Sequence, residues 1–224
     1  DDPSIVYTPY LLEGNDIGGI DVGFLVRGSV SVTSVDQWGE NDTYTFNGQT
    51  LTLNDRPPLV LTGSYTGCGS SFPLTVIAVH QRSLSGIDGT DGARVREKRH
   101  QQALRLSQYI QDLQDADPSL RLVVIGDFNA FEFTDGYVDV MGQVTGNLDP
   151  LGALVAGTDE VDPNLTNQTF SEPAAERYSF VFDGTAQTLD HVLTSQPLAP
   201  YVRELQHSRG NADAPSSFGS VANT

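Results

Sequence analysis

An α+β sandwich is the fold class this sequence predicts, and three observations predict it. Short apolar, β-branched runs recur through the chain as strands. One stretch only, residues 93–115, carries helical spacing instead. The resulting order of strand, strand, helix and strand lacks the regular βαβ alternation of a doubly wound sheet.

Residues 20–27 and 30–35 read as strands because apolar and β-branched residues dominate, with Gly28 between them like a hairpin turn. Residues 36–49 are polar and hold Asn-Asp and Asn-Gly turn signals, so they form a loop or an exposed hairpin. Strands follow at 59–62 and 74–80, then a loop rich in Gly, Ser and Asp at 83–92. In the helix, Val95, Ala103, Leu106, Ile110 and Leu113 supply the apolar stripe, and Pro118 closes the region. The next strand, 120–125, contains the continuous apolar run Leu122, Val123, Val124 and Ile125, the pattern of a strand buried on both faces. Residues 150–167 are loop-like with one short helix, and 178–182 and 187–195 are the last strands.

The chain has 224 residues, of which 38% are hydrophobic, enough for one globular domain over 1–224 with a sizeable core. No apolar run approaches the roughly 18 residues of a membrane span, and no signal-peptide pattern opens the sequence. The single cysteine, Cys68, cannot form an intrachain disulfide. A net charge of −17 counts against a broad basic surface for nucleic acid. Arg94, Arg96, Lys98, Arg99 and Arg105 are nevertheless clustered, and their expected role is the solvated face of the helix rather than a DNA contact.

Residues 122–131, LVVIGDFNAF, are the most informative segment. An apolar strand runs into Gly126, which lets the backbone turn, and then into Asp127-Phe128-Asn129. If the extended geometry persists past the glycine, Asp127 and Asn129 project to one side and Phe128 to the other. A carboxylate and an amide in one pocket suit a hard cation and a phosphoryl oxygen. A bare Asp-x-Asn would more often cap a turn.

GDFNA after an apolar strand resembles the endonuclease/exonuclease/phosphatase family, the DNase I-like phosphodiesterases, and further segments appear in that family's order. VIAVHQRS at 76–83 is similar to its strand ending in a site histidine. NDRPPL at 54–59 is similar to its Arg-Pro-Pro-Leu strand entry, and LDHVLTS at 189–195 to its late strand bearing an Asp. GYVDV at 136–140 and RGNAD at 209–213 resemble the secreted bacterial nucleases of the family, whose location outside the cell is the one this implies. The resemblance implies a four-layer α/β/β/α sandwich of two packed mixed sheets flanked by helices, with the site at one end.

It also implies roles. Asp127 orients or deprotonates the attacking water, Asn129 holds the scissile phosphate, and His80 is a phosphate contact or general acid, with Asp16 or Asp21 as its carboxylate partner. Asp190, on a mostly apolar strand where an unpaired carboxylate is costly, orients a terminal catalytic histidine and is expected to be paired. Its neighbour His191 faces the other way and is structural. Arg56 corresponds to a phosphate-contacting arginine. The cofactor implied is Mg²⁺, or Mn²⁺ or Ca²⁺, with Asp127 and Asn129 as candidate ligands. Two family segments are not found between residues 1 and 224: the strand with the metal-binding Glu, expected before Asp1-Asp2-Pro3, and the Ser-Asp-His segment, expected after Val221-Ala222-Asn223-Thr224. They belong to a longer protein or to another chain segment that completes the site, and this chain alone is expected to be inactive. The function implied is a divalent-metal-dependent phosphodiester hydrolase, foremost an extracellular endonuclease on DNA or RNA. The alternatives are an inactive binding or adhesion domain on the same fold, and a phospholipid or sugar-phosphate phosphodiesterase. For the lipid version, residues 35–46, with Trp38, Tyr44 and Phe46, are the candidate membrane-binding hairpin.

Overall fold

A computed structural model describes residues 5–67, 69–149, 151–210, 212 and 214. Cys68, Asn211 and Asp213 lie outside the described residues, as do both chain ends. The first strands are β1 (Tyr7–Leu11), β2 (Gly23–Arg27), β3 (Val30–Gln37), β4 (Thr43–Phe46) and β5 (Gln49–Thr52). The long pair β6 (Leu59–Gly67) and β7 (Ser70–His80) follows, then helix α1 (Gly92–Ala116) and strand β8 (Leu122–Asp127). After these come α2 (Val140–Thr145), β9 (Thr166–Asn167), β10 (Phe180–Phe182), β11 (Thr185–Gln187) and β12 (Asp190–Thr194).

The organising element is a six-stranded mixed sheet in the order β3-β6-β7-β8-β12-β9. Only β7 and β8 are parallel, because α1 is the crossover between them; the other neighbours are antiparallel. This is the α+β arrangement the element order implies. Val95, Ala103, Leu106 and Ile110 of α1 are all at most 2% exposed, and the last three pack in one core with Ile77, Leu122 and Val124 of the sheet. Asp139 caps α2 by accepting from the Gly142 amide.

Several expectations need correction. Residues 20–27 and 30–35 do not pair as a hairpin: β2 pairs with β1 in its own ribbon, while β3 is an edge of the large sheet. Alternation specifies a strand but not its partner. Strand β8 is buried on one face only. Leu122 and Val124 are fully buried under α1, whereas Ile125, on the other face, is 38% exposed. The short helix expected within 150–167 lies earlier, as α2. The last apolar run is split at Thr188–Leu189, its first part pairing with β10 and its second with β8.

The cationic residues of α1 are not a solvated face. Lys98 and Arg99 are 5% and 2% exposed. Lys98 Nζ donates to both Asp55 carboxylate oxygens at 2.8 Å, Arg105 Nε to Asp42 at 2.9 Å, and Arg96 to the Ile87 carbonyl at 2.8 Å. These side chains tie α1 to the loops that precede β4 and β6 and to the loop that follows β7. The candidate membrane hairpin is likewise accounted for by packing, since Tyr44 is 5% exposed and Trp38 packs on Tyr109 at 5.2 Å.

Candidate active site

Strand register assembles the site. His80, the last residue of β7, lies opposite Asp127, the last residue of β8, and Asp127 lies opposite Asp190, the first residue of β12. Three neighbouring strands therefore present three titratable residues in one row at the sheet's end. Gly126 makes the row possible: at φ +137° it sits so close to β7 that a Cβ there would fall 2.1 Å from the Val79 carbonyl oxygen.

Beyond Asp127 the chain does not stay extended. Asn129 adopts φ +48°, and its amide donates to Asp127 Oδ1 at 2.7 Å, an Asx turn. The shared side of Asp127 and Asn129 thus comes from this turn and not from strand alternation. The Asn129 side chain reaches across to the end of β7, where its Nδ2 donates to the carbonyl of Gln81, the residue after the strand, at 3.0 Å. Phe128 points into the core, fully buried, with its ring edge-on to His191 at 5.8 Å.

Arg56 enters from the loop before β6. Its Nη1 lies 3.0 Å from His80 Nε2, so Nε2 accepts and the imidazole proton sits on Nδ1. Burial, with Arg56 second, holds the His80 pKa below its ordinary value, while Asp190 and Asp16 oppose the shift through space. His80 is therefore neutral at pH 7, and the 3.4 Å approach of its Nε2 to Asp127 Oδ2 is proximity rather than an ion pair. Of the two proposed carboxylate partners, Asp16 acts on His80 electrostatically, whereas Asp21 is engaged elsewhere, accepting from the Gly14 amide at 2.7 Å.

Burial pushes the Asp127 carboxyl up to about 6, and Asp190 adds to the rise; the Asn129 amide, Arg56 and Arg99 oppose it. The folded chain therefore holds a proton between about pH 4 and pH 6 that the unfolded chain has lost. Stability from this group is fully present below about pH 4 and is lost as pH rises through about 6. The ionised form predominates above about 6, so if Asp127 serves as the base that its motif implies, hydrolysis should climb through that pH. A pH–rate profile flat from 5 to 8 would exclude Asp127 as the base.

Asp190 corrects another expectation: it is exposed, at the mouth of the row, so its carboxylate escapes the desolvation that would demand a partner. His191 is structural. It is 1% exposed, and its Nε2 donates to the Ala130 carbonyl at 2.8 Å while Nδ1 accepts from Asn167 Nδ2 at 3.1 Å.

Two sets of residues at the site have no counterpart in the motifs. Arg99 donates to the carbonyls of Arg82 at 2.7 Å and Asn129 at 2.8 Å and to Asp135 at 3.0 Å, gripping both loops that border the row. Its spacing four residues after Val95 and four before Ala103 was the available signal, since it places Arg99 on the buried stripe. His207 packs on Glu172, pairing through Nδ1 with its carboxylate, and points Nε2 at the Asp190 carbonyl oxygen at 3.1 Å.

Among the described residues no three His, Cys, Asp or Glu side chains converge as metal ligands. Asp127 has one oxygen occupied by the Asn129 amide, and the Asn129 amide nitrogen is bonded to Gln81. These two residues do not by themselves fit a hard cation, which takes six or so oxygen ligands. Mg²⁺ titrated into this chain should bind on the order of millimolar or weaker; calorimetry showing tight stoichiometric binding would require further carboxylates at the row.

No family model and no curated protein matches the chain. Similar solved structures include truncated TDP2 of Caenorhabditis elegans, at TM-score 0.49 and 14% identity over 85% of this chain and 62% of that one. The human nocturnin catalytic domain gives 0.48 and 14% over 85% and 61%. An endonuclease/exonuclease/phosphatase family protein of Bacteroides thetaiotaomicron gives 0.49 and 12% over 85% and 61%. The chain thus spans less than two thirds of the length of each, and at these identities the likeness concerns fold alone.

Proposed function

We propose that this chain carries the central part of a phosphodiester hydrolase, foremost an endonuclease acting on DNA or RNA outside the cell. The observation that carries the reading is the row of His80, Asp127 and Asp190 on adjacent strands, with Arg56 bonded to the first. Displacement at phosphorus needs a positioned water, a charge-bearing phosphate clamp and a proton acceptor. Asp127, partly buried with a raised pKa, suits the acceptor. Arg56 spends one N–H of Nη1 on His80 and one of Nη2 on the Gln81 carbonyl at 3.5 Å, and each nitrogen keeps a second N–H for a phosphoryl oxygen. Neutral His80, with Arg56 on its Nε2, steadies that guanidinium. A divalent cation, Mg²⁺ first, belongs to the reading through the resemblance of the GDFNA segment, and the described residues do not complete a site for one. The extracellular placement also rests on that resemblance.

The charge distribution bears on the substrate. Arg94, Lys98, Arg99 and Arg105 are each paired with an aspartate, and Arg96, bonded to the Ile87 carbonyl, is a single charge, too few for a basic face that follows a long polyanion. The deciding experiment assays the full-length protein, with and without EDTA, on plasmid DNA, RNA and bis(p-nitrophenyl) phosphate. Hydrolysis of at least one, lost in Asp127→Asn, is expected. No turnover on any of them would favour a binding or adhesion domain on the same fold.

A further inference from the structure

Past β12, on the β9 side of the row, lies a concave pocket of about 500 Å³ that none of the roles above uses. Two of its walls are aromatic rings open to solvent, Phe133 at 63% exposure and Phe170 at 53%. A single exposed ring would need no explanation, but both of these are held from outside the pocket. Phe133 stacks on Phe131 with centroids 5.4 Å apart and planes 23° from parallel. The Arg177 guanidinium lies 5.3 Å from the Phe170 ring centre, and its Nη2 donates to the Phe170 carbonyl at 3.0 Å. Rings restrained in this way can stack on a ligand with little further loss of side-chain freedom.

The polar lining narrows the ligand. Asp139 is spent on the protein, accepting from the Gly142 and Asp149 amides. Asp149 accepts from the Leu151 amide through one oxygen only, and the Glu132 carboxylate has no hydrogen-bond partner among the described residues. Among the described residues no Lys or Arg lines the pocket. It therefore offers acceptors and negative charge, matched by a ring bearing N–H or O–H donors and opposed to a second phosphate. The pocket is tied to the row through its lining residue Asn167, which donates to Nδ1 of His191, the residue after Asp190 in β12. Glu132 is three residues past Asn129, and Phe170 is two residues before Glu172, whose partner His207 bonds the Asp190 carbonyl.

We infer that this pocket binds the uncharged, donor-bearing ring attached to the scissile phosphate, stacked between Phe133 and Phe170 and hydrogen-bonded to Glu132 and Asp149. The inference rests on the phosphodiesterase reading for what is attached to the ring, but the binding is measurable without hydrolysis. A nucleoside and a sugar share this chemistry. A nucleoside held here must be unpaired, because stacking between two side chains replaces stacking in a duplex.

The test is ligand-observed NMR titration of this chain with adenosine, methyl α-mannoside and adenosine 3′,5′-bisphosphate. One neutral ring should bind, and the bisphosphate should bind at least about tenfold more weakly than adenosine if adenosine is that ring. Phe170→Ala and Phe133→Ala should each weaken ring binding roughly tenfold, the scale of losing one stacking partner. Phe170→Tyr should retain it, which separates loss of a ring from loss of folding. Glu132→Gln should narrow the gap between adenosine and its bisphosphate. Binding by neither neutral ring, binding that survives both alanine substitutions, or a bisphosphate bound as well as adenosine would overturn the inference. The ring should still bind to Asp127→Asn. Binding intact in a full-length protein that hydrolyses no phosphodiester would sink the catalytic reading alone; hydrolysis without ring binding would sink this one alone.

Discussion

Asp127→Asn in the full-length protein is expected to lower phosphodiester hydrolysis by about two orders of magnitude or more, the scale of losing an acid/base group, while leaving the fold intact. The structure separates the two effects. An asparagine keeps Oδ1 as acceptor for the Asn129 amide, so the turn that shapes the site survives. Its Nδ2 would replace the oxygen that lies 3.4 Å from His80 Nε2, where the imidazole already accepts from Arg56, so no hydrogen bond is lost, only the through-space attraction of Arg56 and Arg99. Burial works against the ionised carboxylate, and the amide escapes that penalty. Wild type should therefore lose stability relative to the variant as pH rises through about 6. Thermal melts of both proteins at pH 5 and pH 8, beside initial rates at pH 8, check this. Turnover largely retained would remove Asp127 from the mechanism, and a variant markedly less stable at pH 8 would make its role structural.

What the sequence makes legible here is local. Helix α1 spans Gly92–Ala116 against an expected 93–115, because its apolar stripe and following proline are both strong signals. The strand, glycine and aspartate of 122–127 form as expected, since an apolar run followed by Gly has few other solutions. What pairs with what is not legible. β1 escapes notice because Pro9 interrupts it, which is tolerated because among the described residues β1 has a single neighbour, β2. The exposure of Asp190 depends on its being the first residue of β12, a boundary that hydropathy does not mark. Asn129 has a second reason for its identity, since asparagine tolerates the left-handed backbone at φ +48° better than most residues. The cations of α1 look like a solvated run in the sequence, and only the helical phase of Arg99 hints otherwise. The pocket between Phe133 and Phe170 joins segments far apart in the chain, and no spacing rule reaches across them.

Arg99→Met is expected to be the most damaging single change at the site, although Arg99 lies below the row rather than in it. The guanidinium is 2% exposed and makes three bonds, to the Arg82 carbonyl, the Asn129 carbonyl and Asp135. Asp135 in turn accepts from the amides of Tyr137 and Val138, so one buried charge pair organises the loop from Asn129 to Val138. Methionine fills much of the volume but leaves Asp135 buried at 5% side-chain exposure with no cation. Breaking one half of a buried pair in this way costs about 3–5 kcal/mol, a large share of the roughly 5–15 kcal/mol that stabilises a domain. Arg99→Lys should recover little, because a single ammonium cannot span two carbonyls and a carboxylate with the geometry of the planar fork. Asp135→Asn keeps an acceptor for the Tyr137 and Val138 amides and removes the orphaned charge. Combined with Arg99→Met, it should restore part of the lost stability, while the Asn129 loop stays untethered and hydrolysis stays low. Urea melts of the two single variants and the double, with initial rates for each, measure the coupling. Arg99→Met costing less than about 1 kcal/mol, at the level of an exposed ion pair, with hydrolysis unchanged, would show that the loop holds its shape without Arg99.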